Sequence, residues 1–134
     1  MEAAVHPFRK AVEADDHDAV HALLAEDVVF TSPVAFAPYA GRELTAAILR
    51  AVSRVFTDFR YVKEMSSPDG RDHALVFKAR VGDREIQGCD FLHTDDRGLI
   101  DDFTVMVRPL SAATALAEAM GDRFDQIRRE AGLE

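Results

Sequence analysis

The feature that most limits how this chain can fold is a change of period. Before Phe56, apolar residues recur at i, i+3, i+4 and i+7. After Thr57-Asp58 they alternate, and they go on alternating as far as Arg108. The first spacing gathers apolar side chains along one stripe of a helix, and the second gathers them on one face of a strand. The alternating stretches are residues 59–65, 73–81, 85–94 and 99–108. Between them lie Ser66-Ser67-Pro68-Asp69-Gly70, Gly82-Asp83 and Asp95-Asp96-Arg97-Gly98, all turn-forming sequences. Strands joined by such short turns run antiparallel beside one another. Gly82-Asp83, with glycine first, fits a two-residue hairpin turn, and Pro109 stops the last strand.

Ahead of this meander the helical spacing predicts three helices. In residues 7–14 Pro7 occupies the first turn, where its missing N–H does no harm, and Phe8 and Val12 share a face. A second helix starts at Asp16 as N-cap, with Asp18 in its first turn and Val20, Leu23 and Leu24 on its apolar side. The third, residues 42–56, carries Leu44, Ala47, Ile48, Ala51, Val52 and Val55 along one stripe. Val28-Val29-Phe30 reads as a short strand. Residues 31–41 read as a loop whose Val34, Phe36 and Tyr39 should pack down on the body. After Pro109, Ser111 is expected to cap a helix over 112–120 closed by Gly121, with a second helix over 122–131. The expected fold class is α+β. A curved antiparallel sheet wraps around N-terminal helices, in the order α-α-β-α-β-β-β-β-α. The 134 residues form a single domain with a C-terminal helical extension from about 111.

Charge and cysteine content narrow the functions open to such a domain. There are 16 basic and 24 acidic residues, net −8, which argues against nucleic acid or an anionic membrane as partner. A single cysteine, Cys89, excludes an internal disulfide and any zinc site made of several thiolates. Met1-Glu2 and the early His6-Pro7 do not read as a leader, so the expected location is cytoplasmic. No nucleotide-binding glycine loop or nucleophile elbow is visible. His17 and His21 have metal-ligand spacing on a helix but no third ligand nearby. No metal and no cofactor are expected.

Strand parity locates the chemistry. If Val81 pairs with Arg84, then Leu75 lies opposite Asp90, Phe77 opposite Gly88, and His73 opposite Leu92. If Asp95 pairs with Gly98, Asp90 faces Phe103 and Leu92 faces Asp101. One face then carries Leu75, Phe77, Gly88, Asp90, Leu92, Phe103, Val105 and Val107, an apolar wall with one carboxylate at its middle. His73 and Asp101 fall near one end of it. An aspartate in such a wall is desolvated, which raises its pKa. A carboxylic acid kept neutral in an apolar pocket can donate a hydrogen bond to a substrate oxygen. Asp90 is therefore the candidate catalytic residue. Its alternative role is to tie down a backbone group or a water in the core. The expected pocket wall is Phe8, Val12, Ile48, Phe56, Leu75, Phe77, Phe103 and Val105, with Tyr39 and His73 at its edge.

The opposite parity puts Val76, Cys89, Phe91, His93, Thr104 and Met106 on the outer face. A sheet face left to water should be polar. This one is not, so the expected partner there is a second copy of the chain. The competing cover is residues 112–127 folding back over it.

Residues 18–30 (DAVHALLAEDVVF), Gly41-Arg42-Glu43 and residues 94–100 (TDDRGLI) carry a resemblance. The chain resembles the nuclear-transport-factor-2-like superfamily, in particular SnoaL-like proteins and ketosteroid isomerases, over residues 7–110. The resemblance implies an α+β cone with a deep apolar pocket, often dimeric. It covers isomerases, cyclases, dehydratases, epoxide hydrolases and members with no enzymatic role. Asp90 looks like the ketosteroid isomerase aspartic acid that donates to the substrate oxygen. The isomerase's general base lies just before Pro33, where this chain has Ser32, and its oxyanion-hole tyrosine falls near Phe8, which has no hydroxyl. A serine abstracts no proton at neutral pH without a base beside it. The arginine-flanked aspartate pair of the epoxide hydrolases is not found. The resemblance thus implies a small apolar molecule as partner. The candidate activity is isomerisation, cyclisation or hydration of an apolar carbonyl compound, with Asp90 as acid/base. The alternative is a non-catalytic ligand-binding or dimerisation domain.

Overall fold

The computed structural model describes residues 5–133. Two short helices open the chain, α1 (Pro7–Glu13) and α2 (His17–Leu23). The imidazole Nδ1 of His6 caps α1 by accepting the Phe8 N–H at 3.0 Å, and Asp16 caps α2 by accepting from Ala19. Strand β1 (Leu24–Thr31) begins where α2 ends, earlier than the β-type run at Val28 suggests. The loop that follows contains a further short strand, β2 (Tyr39–Ala40). Helix α3 (Arg42–Val55) passes straight into β3 (Phe56–Ser66), followed by β4 (Asp72–Val81), β5 (Arg84–Thr94) and β6 (Ile100–Arg108). Helices α4 (Leu110–Gly121) and α5 (Phe124–Glu130) complete the chain.

The strands form one sheet in the order β2-β1-β6-β5-β4-β3. The pairs are antiparallel except β1 with β6, which run parallel, so the sheet is mixed at that seam. Pairing of β4 with β5 follows the expected register, with Val81 opposite Arg84 and Leu75 opposite Asp90. Gly82 has φ +60°, the conformation a glycine-first hairpin turn requires. On the other side of β5 the register is shifted by two residues, placing Asp90 opposite Val105 and Leu92 opposite Phe103. A shift of two keeps every face. It arises from an irregularity between His93 and Thr94 that leaves Asp101 unpaired in the ladder. Asp101 consequently turns to the outer face, where its carboxylate meets His93 Nδ1 at 2.6 Å. The expected place for it beside His73 on the inner face is corrected.

Two further expectations are corrected. Phe36 does not pack down; it is fully exposed. Ser111 does not cap a helix, because α4 already starts at Leu110, behind Pro109, with no side-chain cap. The C-terminal helices also leave the outer face of the sheet uncovered. Ala112, Leu116 and Ile127 are buried in the same cluster as Leu75, Phe77 and Phe103, so α4 and α5 lie on the inner side with α1 and α3.

Candidate functional site

Between the helices and the sheet lies a cavity of about 510 Å³. That is within the range of about 300–1,000 Å³ common for small-molecule sites. Its walls carry two sets of aromatic rings, and sheet order explains how they are divided. Phe103 of β6, Phe30 of β1 and Tyr39 of β2 lie on one side of β5. Phe77 of β4 and Phe56, Phe59 and Tyr61 of β3 lie on the other. Along the first wall ring centroids are 5.2 Å apart for Phe8 and Phe103, 5.4 Å for Phe103 and Phe30, and 6.5 Å for Phe30 and Tyr39. In the second, Phe77 is 5.6 Å from Phe56 and 5.0 Å from Phe59, and Phe59 meets Tyr61 edge-on at 5.0 Å. These are ordinary separations for interacting rings. The Phe77 ring occupies the space that a side chain at Gly88, directly opposite, would take. A Cβ on Gly88 would fall onto the Phe77 ring and within 2.9 Å of the Met106 carbonyl oxygen.

Asp90 projects from β5 between the two walls and is buried, with 6% exposure. Tyr61 donates its hydroxyl to Asp90 Oδ2 at 2.9 Å. Burial pushes the Asp90 carboxyl up to about 7, and the Tyr61 hydrogen bond opposes part of that rise by favouring the ionised form. Burial, then the neighbouring Asp90, hold the Tyr61 hydroxyl well above its ordinary range, so it remains a donor. The Arg9 guanidinium lies 5.8 Å from the centre of the Tyr61 ring. A carboxyl group in this state is divided between acid and carboxylate at neutral pH, which suits it to giving or taking one proton.

Phe8, Val12, Ser32, Tyr39, Ile48, Phe56, Phe77, Phe103 and Val105 border the cavity with Asp90. His73 and Leu75 do not, contrary to expectation. The His73 ring packs on His6 with centroids 4.4 Å apart, and its Nδ1 meets Ser66 Oγ at 2.7 Å. Leu75 is wholly buried beneath the wall, directly across from Asp90. The Ser32 hydroxyl accepts the Val34 N–H at 3.1 Å, which fastens the loop. His17 and His21 turn to separate carboxylates, Asp15 and Glu43.

Tyr61, the partner of Asp90, is a site residue that sequence reasoning missed. Phe8 brings no hydroxyl from the first helix, and the hydroxyl beside Asp90 comes from Tyr61 on β3. Alternation of Phe59 and Tyr61 was a visible signal, but the five-residue turn after β3 did not fix its register with β4. That pairing in fact contains two irregularities, between Thr57 and Arg60 and between Tyr61 and Lys63. Leu116 and Met120 of α4 and Phe124 of α5, which also border the cavity, were not anticipated.

A family model described as a SnoaL-like domain matches residues 5–103. Among solved structures the chain is similar to a steroid delta-isomerase from Pseudomonas aeruginosa. Identity is 44% with a TM-score of 0.84, covering 89% of this chain and 87% of that one. It is also similar to an uncharacterised protein conserved in bacteria, with a cystatin-like fold, from Silicibacter pomeroyi DSS-3. There identity is 37% and TM-score 0.82, covering 92% of this chain and 91% of that one. A putative polyketide cyclase from Pseudomonas putida KT2440, 20% identical with a TM-score of 0.65, shares the fold over 79% of this chain and 89% of that one. No curated protein matches this chain.

Proposed function

Because the chain belongs to the SnoaL-like family, we propose that its cavity takes a small apolar carbonyl compound and that Asp90 moves a proton on it. The observation that carries this reading is the carboxyl group itself. It is buried in an apolar cavity, held by Tyr61, and pushed up to about 7. In the ionised form it takes a proton from the carbon next to the substrate carbonyl, leaving an enolate. Returned to a different carbon, that proton shifts a double bond, which is an isomerisation. In the acid form it donates a hydrogen bond to the carbonyl oxygen. Tyr61 fixes Oδ2, so a substrate would meet Oδ1. Both steps need only the substrate and the proton.

The similarity to a steroid delta-isomerase supports the reaction class. Ser32 counts against the same base doing the work, because its hydroxyl is engaged by Val34 and abstracts no proton unaided. A panel of apolar β,γ-unsaturated ketones tests the reading through the ultraviolet absorbance of the conjugated product. Turnover should fall by about 10²–10⁴-fold in Asp90→Asn, the usual worth of a positioned acid or base. Ketones that bind without turnover would favour the non-catalytic reading, for which the engaged Ser32 is the supporting observation.

The outer face supports a second copy of the chain as partner. Val76, Cys89 and Met106 form one row across β4, β5 and β6, and Ala74, Phe91 and Thr104 the next. Met106 is 60% and Phe91 42% exposed, and no described helix covers them. A contiguous apolar patch on a sheet usually marks an interface, and twofold pairing is the commonest symmetry. Sedimentation at micromolar concentration should give twice the chain mass, and Phe91→Asp should return it to one. A wild-type monomer would contradict the pairing.

A further inference from the structure

The first aromatic wall does not stop at the sheet. Beyond Tyr39 it continues onto the C-terminal helix, where the Phe124 ring lies 5.7 Å from the Tyr39 ring. The rings Phe103, Phe30, Tyr39 and Phe124 thus lead from the strand beside Asp90 to α5, each in contact with the next and each bordering the cavity. The two ends of this series are held differently. Phe103 and Phe30 are buried side chains of paired strands. Phe124 is only half-buried and is the first residue of α5. Its position is set from behind. Ile127 is buried, and Glu130 meets Arg50 at 3.6 Å and Arg54 at 3.4 Å on α3. The ring therefore borders the cavity without being part of what holds the sheet together.

We propose that Phe124 is the specificity-determining residue of the cavity: its ring ends the space available to a ligand whose carbonyl lies at Asp90, and so limits the length of the apolar tail that can follow. The ligands selected are compact apolar ketones. Long-chain acyl ketones with the same head gain nothing from their extra length because their tails run into the Phe124 ring. This inference rests on reading the cavity as a site for apolar carbonyl compounds, and adds the residue that chooses among them.

Prodan and laurdan test it, being naphthyl ketones with one shared fluorophore that differ only in acyl chain length. Each extra buried methylene is worth roughly four-fold in affinity where there is room for it. Wild-type protein should bind prodan and gain nothing from the longer chain of laurdan. Phe124→Ala should raise the laurdan-to-prodan affinity ratio at least about ten-fold, since the tail gains a few methylenes of burial. Phe124→Leu, which keeps an apolar side chain to cover α5, should give a smaller change of the same sign. It carries the test if the alanine variant loses its far-ultraviolet circular dichroism. Asp90→Asn should change the affinity of both ketones by one factor and leave their ratio alone. A laurdan-to-prodan ratio unchanged in both Phe124 variants would overturn the proposal while leaving the cavity reading intact, and so would a wild type that already prefers laurdan strongly. Failure of the wild type to bind either ketone would overturn the cavity reading, and the proposal with it.

Discussion

Asp90 and His93 are near neighbours on β5 and face opposite sides of the sheet. Both hold their proton more tightly in the folded chain than in the unfolded one, for opposite reasons. Asp90 is buried, and its charged form is penalised by desolvation. His93 is 41% exposed at its side chain, and its charged form is favoured, chiefly by the hydrogen bond to Asp101. Facing inward means a charge suppressed by its surroundings. Facing outward means a charge rewarded by a partner. The shared direction gives both groups the same linkage. Folding stability from each is fully present below its unfolded pKa and is lost as pH rises through the folded one. For Asp90 that window runs from about 4 to about 7. For His93 it begins near 6.5 and ends above it.

Removing the inner charge should have the largest effect on stability. Asp90→Asn cannot ionise, so its stability relative to wild type should be flat below about pH 4, rise between about 4 and 7, and be flat again above. The whole step is on the order of 4 kcal/mol. Denaturant unfolding at a series of pH values measures it. A difference that does not vary with pH would break the contrast between the two faces. Tyr61→Phe sharpens it, because without its donor the Asp90 carboxylate is less favoured and the upper limit of the step should move above 7.

The next effect concerns packing. Gly88→Ala, on the inner face, forces a methyl onto Phe77 and the Met106 carbonyl, and should destabilise by about 1–3 kcal/mol. Phe91→Asp, on the outer face, should change the stability of the monomer by no more than about 0.5 kcal/mol, as surface substitutions do, while removing self-association. Similar losses from both would mean that the outer face is packed against something within the chain.

The smallest effect separates suppressed from rewarded charge. Raising salt from about 0.05 to about 0.5 M screens exposed pairs and leaves buried groups nearly untouched. The His93 midpoint should fall toward 6.5 while that of Asp90 stays in place, both followed by NMR.

The same two faces show what could be read from the sequence. Gly82-Asp83 leaves only one sensible pairing for β4 with β5, so the inward direction of Asp90 and the position of Gly88 under Phe77 followed from counting. Faces survive a register error of two, so Phe103 and Val105 were placed inward even though their partners on β5 were not those expected. Asp101 was misplaced because an irregular residue reverses direction without any mark in the local sequence. Tyr61 was missed for a related reason, since β3 meets β4 through two such irregularities. The Ala-rich α4 has little contrast between its sides, so nothing in its sequence said which face of the sheet it would cover. Phe36 shows the converse, an apolar residue whose burial pattern had no period to support it and which lies in solvent.

The chemistry of the cavity turns on the ionisation of one carboxyl group. Titration of the Asp90 side-chain carboxyl carbon by NMR, identified by its loss in Asp90→Asn, tests it most directly. The structure predicts a midpoint of about 7. A midpoint near 4, the ordinary carboxylate value, would mean that the group is hydrated or paired in solution and has no proton to donate at neutral pH.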